Sequence, residues 1–66
     1  MWLNYDSNLR KNVRDTKIKE LLKDAIFKGA VPTPAGLQMS YILKDGKDAQ
    51  VLAKFSPKGQ IISSKL

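Results

Sequence analysis

The sequence predicts an α+β fold: one main helix packed on a three-stranded antiparallel β-meander, with room for an N-terminal arm or a fourth strand. Three observations carry this. Residues 37–66 alternate apolar and polar side chains with a period of two. Two glycine-containing turns, Lys44-Asp45-Gly46-Lys47 and Ser56-Pro57-Lys58-Gly59, divide that stretch. Before it, Ile18, Leu21, Leu22, Ala25 and Ile26 follow the i, i+3, i+4, i+7, i+8 spacing of a helix stripe. The 66 residues read as one small domain, with an arm over 1–14, the helix over 15–28, a linker over 30–36 and the meander over 37–66.

Trp2, Leu3 and Tyr5 open the chain, and aromatic residues so near a terminus are expected to pin to the fold or to a partner. Asp6 and Ser7 can cap a short helix that holds Leu9 and Val13 on one face. At 100° per residue those two point away from the Ile18–Leu22 stripe, so a break falls near Asp15-Thr16. Asp15 or Thr16 then caps the main helix. Lys28 in its last turn and Gly29 as C-cap complete the expected helix, with Asp24 and Lys28 as an i, i+4 pair. Val31-Pro32-Thr33-Pro34-Ala35-Gly36 reads as a stiff extended connector, because each proline moves its predecessor out of helical space.

The register of the first hairpin follows from its hydrophobic faces. A two-residue loop at Asp45-Gly46 would set Tyr41 opposite Gln50 and turn one apolar set to water. A three-residue loop, Lys44-Asp45-Gly46 with Gly46 left-handed, sets Tyr41 opposite Ala49, Met39 opposite Val51 and Leu37 opposite Ala53. The same chemistry in the second turn places Phe55 opposite Ile61 and Ala53 opposite Ser63. The other face then carries Ile42, Leu52 and Ile62 among polar residues.

Composition narrows the chemistry. The chain has neither cysteine nor histidine, which removes thiol catalysis, a histidine general base and the usual zinc ligand sets. Asp45 and Asp48 flank a turn without the spacing of a calcium loop, and no Gly-rich phosphate loop is present, so no metal or cofactor is expected. No stretch has the length of a membrane span or the pattern of a leader peptide, which makes a cytoplasmic location the expectation.

The net charge is +6, from 12 Lys and Arg against 6 acids, and it points to an anionic partner. Arg10, Lys11, Arg14, Lys17 and Lys19 crowd into ten residues, and Arg10 and Arg14 are the chain's two arginines. The arginine fork suits phosphate oxygens, so the leading expectation is a non-enzymatic module that contacts nucleic-acid phosphates through Arg10, Lys11, Arg14 and Lys17. An alternative is a protein-interaction module, such as a small inhibitor or phage-type accessory protein, docking through Trp2, Tyr5, Ile42, Leu52 and Ile62 or covering that face with a second subunit. A third is a small ribonuclease-like toxin working through Lys, Arg and Tyr. Lys44, Lys47, Lys54 and Lys58 form a second group, of the kind that shields turns and sheet edges. Residues 20–66, a helix and then strands joined by Asp-Gly-Lys and Pro-Lys-Gly turns, resemble the PepSY-like small domains in their turn glycines and alternating apolar positions. That resemblance implies a helix before glycine-turned strands, and no function is carried over from it.

Overall fold

The computed structural model describes residues 3–66, so Trp2 lies outside the described residues. Two helices, α1 (Leu3–Asn12) and α2 (Thr16–Leu21), precede four strands, β1 (Ile26–Thr33), β2 (Gly36–Ile42), β3 (Asp48–Phe55) and β4 (Ile61–Lys65). The strands form one antiparallel open sheet in the order β1-β2-β3-β4, so β1 and β4 are its edges. Among the described residues no helix is long and apolar enough to cross a membrane.

The helices cover the sheet face that carries Leu37, Met39, Tyr41, Val51 and Ala53. These five pack with Leu9, Val13, Ile18, Leu22 and Ala25 into one buried cluster. The β2–β3 register is the expected one: Tyr41 opposite Ala49, Met39 opposite Val51, Leu37 opposite Ala53. Leu43 N–H donates to the Lys47 carbonyl at 2.8 Å, which closes a three-residue loop with Gly46 at φ +87°. In the second hairpin Phe55 does face Ile61, but Ala53 faces Ser64 rather than Ser63. An extra residue at this point forms a β-bulge, which moves the rest of β4 along by one.

The helical part departs from expectation in three ways. The arm is the main helix, since α1 has 10 residues and buries Leu9. The break after it stands where phase requires, and the Asp15 carboxylate caps α2 by accepting from Lys17 N–H at 2.9 Å and Ile18 N–H at 3.4 Å. However, α2 stops at Leu21 instead of continuing to Lys28, and residues 26–33, expected as helix end and connector, are the fourth strand. Two causes act together. Ile26, Phe27 and Val31 are strand formers. Their backbone also supplies the partner that the outer edge of β2 would otherwise lack, with Phe27 opposite Tyr41 and Ala30 opposite Met39.

Gly29 is therefore a strand residue after a bulge at Lys28, not a helix cap, and Lys28 pairs with Asp48 at 3.6 Å rather than with Asp24. Pro32 is tolerated because an edge strand can leave one side without N–H donors. Thr33 closes the β1–β2 turn, donating its hydroxyl to the Gly36 carbonyl at 2.7 Å.

Candidate nucleic-acid interface

The basic residues singled out by spacing gather at the corner where α1 meets α2. Val13 N–H still bonds the Leu9 carbonyl at 2.9 Å, and its side chain is buried. The chain then turns through Arg14, and the Asp15 cap starts α2. Lys11, Arg14 and Lys17 are all exposed at this corner. Among the described residues none of the three is in a salt bridge. Lys19 in α2 and Lys23 just past its end, both exposed, border a small groove of about 210 Å³ with Arg10, Val13 and Leu22. Lys23 lies beyond the basic run from Arg10 to Lys19, and the turn after α2 brings it to the same groove.

Arg10 is different. Its Nε donates to Asp6 Oδ1 at 2.8 Å, one Nη to the Leu22 carbonyl at 3.0 Å and the other to the Ala25 carbonyl at 2.7 Å. Its guanidinium also stands 5.3 Å from the centre of the Tyr41 ring, within cation–π range. Leu22 is the C-cap of α2, where carbonyls lack helical partners. The fork of Arg10 thus ties α1 to the end of α2 and to the start of β1. Three of its five N–H donors are engaged inside the fold, so it braces the corner, with its side chain still 31% exposed.

Asp6 completes this arrangement by accepting from the Tyr41 hydroxyl at 2.7 Å. Burial, and then hydrogen bonding to Asp6, push the Tyr41 hydroxyl well above the ordinary tyrosine pKa. The Asp6–Arg10 spacing was readable as a helical i, i+4 pair, whereas Tyr41 lies 35 residues away and gave no such sign.

Among the described residues, Tyr5, Ile42, Leu52 and Ile62 of the alternative docking set do not share one surface. Tyr5 packs edge-on against Phe55 at 4.8 Å on the helix-covered side. Ile42 and Leu52 share the opposite face, separated by the Gln38–Gln50 hydrogen bond at 3.1 Å. Ile62 instead lines a groove of about 380 Å³ with Asn12, Arg14 and Ser63. The second lysine group divides too: Lys44 and Lys47 sit at the β2–β3 turn and Lys58 at the β3–β4 turn, at opposite ends of β3. Asp45 and Asp48, expected to serve turn chemistry, accept from Lys47 N–H at 3.0 Å and pair with Lys28, respectively. No protein-family model matches the chain, and no curated protein or solved structure matches it, so the likeness of residues 20–66 to PepSY-like domains assigns no family.

Proposed function

We propose that this chain is a small basic, non-enzymatic binding module whose α1–α2 corner contacts nucleic-acid phosphates. Lys11, Arg14 and Lys17 make the contacts, Lys19 and Lys23 extend the positive field, and Arg10 holds the corner in shape. The observation that supports this reading is the state of the charges. The corner cations are exposed and outside any salt bridge among the described residues, whereas Asp6 is held by Arg10 and Tyr41, and Asp15 accepts from two N–H groups at the α2 N-terminus. Part of the chain's net charge of +6 thus stands at this corner without being neutralised in pairs.

Fluorescence anisotropy with labelled single-stranded DNA, duplex DNA and RNA, at several salt concentrations, tests it. Binding should be micromolar or weaker near physiological salt and should weaken steeply with salt. Replacing Lys11, Arg14 and Lys17 together by glutamine should lower the salt slope by about 2–3, at roughly 0.7–0.9 per lost contact. Replacing Lys44 and Lys58 should change it little. RNA recovered intact after incubation separates binding from the ribonuclease-like reading. Absence of binding to all three polymers at low salt overturns the proposal.

A further inference from the structure

The two edges of the sheet are unlike. Edge β1 carries the devices that block pairing with another strand: Pro32 without an N–H, a bulge at Lys28, and the Lys28–Asp48 pair beside it. Edge β4 has no proline, and its single bulge lies at its start. Beyond that bulge it presents Ser63, Ser64 and Lys65, with β3 as its one strand neighbour and the end of α1 nearby. Alternate residues of such an edge direct N–H and C=O groups outward. Beside β4 runs the groove of about 380 Å³ bounded by Asn12, Val13, Arg14 and Asp15. Ile62, 67% exposed, stands in its wall and offers an apolar contact.

We infer that β4 is a strand-addition edge, and that it takes an extended acidic peptide of a partner protein as a fifth strand alongside the groove under the α1–α2 corner. Backbone pairing would supply the register, over about five residues or roughly 16 Å. Charge selects the occupant. Arg14 lines the groove, Lys11 and Lys17 lie within two residues of its lining along the chain, and Lys65 lies on the strand itself. The one carboxylate in the groove, that of Asp15, is already bonded to two backbone N–H groups. A second copy fits poorly. Antiparallel pairing of β4 with its own copy relates the two by a two-fold axis perpendicular to the sheet, which sets both corners on one face with like charges and +6 on each chain. This inference goes beyond phosphate binding, because it rests on backbone pairing as well as on charge.

The test uses the full chain and a labelled eight-residue peptide of alternating Val and Glu. Its comparators are two twins N-methylated on the odd or the even residues, and a counterpart with Lys in place of Glu. In an antiparallel ladder only every second N–H of the added strand faces its partner. One twin should therefore lose at least tenfold in affinity while the other binds like the parent, and the Lys peptide should not bind. Backbone amide shifts in the protein should concentrate in residues 61–65, and K11Q/R14Q should weaken the acidic peptide several-fold. Equal binding by both twins would reduce the contact to charge alone and overturn strand addition, as would no binding of the parent peptide or loss with both twins. Concentration-dependent dimerisation in sedimentation, abolished by Ser63→Pro or Ser64→Pro in a variant that keeps its circular dichroism, would assign the edge to a second copy. Nucleic-acid binding is measured separately, so either proposal can fail without the other.

Discussion

Tyr41 on β2 donates its hydroxyl to Asp6 on α1 at 2.7 Å, and the same carboxylate oxygen accepts from Arg10 at 2.8 Å. This joins the first helix to the second strand through a fully buried side chain. Burial is the main cause of the raised Tyr41 pKa, with the Asp6 hydrogen bond and charge adding to it.

An alkaline loss of stability follows. The folded pKa lies above the ordinary value of 10.0. The contribution of Tyr41 is therefore complete below pH 10.0 and is lost as pH rises above it, because the unfolded chain releases this proton first. Urea unfolding of the parent should weaken with pH above that value more steeply than Tyr41→Phe, by up to about 1.4 kcal/mol per pH unit. Near neutrality Tyr41→Phe should cost about 0.5–1.5 kcal/mol for the lost hydrogen bond. Parallel pH profiles for the two proteins would contradict this role of Tyr41.

The two arginines should separate cleanly. Arg10→Gln leaves the Leu22 and Ala25 carbonyls without their partner and should destabilise by about 1–3 kcal/mol. Arg10→Lys should restore little of this, since an ammonium cannot span both carbonyls and Asp6 as the planar fork does. Arg14→Gln, on an exposed residue outside any salt bridge among the described residues, should stay within about 0.5 kcal/mol of the parent. Denaturant melts of the three variants decide it. If Arg10→Gln melts like the parent, Arg10 is not a brace.

Two glycines differ in what restrains them. At Gly46 the left-handed φ of +87° is the only obstacle, since an added Cβ meets nothing within 4 Å, and Gly46→Ala should cost about 1–2 kcal/mol. At Gly36 an added Cβ would stand 2.8 Å from the Ala53 carbonyl oxygen, on a backbone with φ +137°. Gly36→Ala should therefore cost clearly more than Gly46→Ala in thermal or urea melts. The reverse order would show that β2 and β3 separate more easily than this close approach implies.

Several features were determined by the sequence alone, each by a rule acting over a few residues. Alternation in 37–43 and 49–55, joined to the need for one buried face, selected the β2–β3 register and with it a left-handed Gly46. Helical phase separated Leu9 and Val13 from Ile18 and Leu22, which located the break, and Asp15 was legible as a cap. Of the candidate phosphate contacts, the clustering of Lys11, Arg14 and Lys17 was visible in the spacing of charges, and all three are exposed at the corner.

Tertiary structure decided the rest. Ala25 and Ile26 continue a helical stripe as well as they begin a strand, and the bulge at Lys28 hides the alternation that would have told them apart. The choice went to the strand because residues 26–33 pair with β2 along its length and set Phe27 and Ala30 against the core, gains that no local window contains. Arg10 reads with its neighbours as a surface cation for the same reason. Its position in the chain gave its charge, but the carbonyls of Leu22 and Ala25 and the ring of Tyr41, brought together only by folding, turned that charge inward.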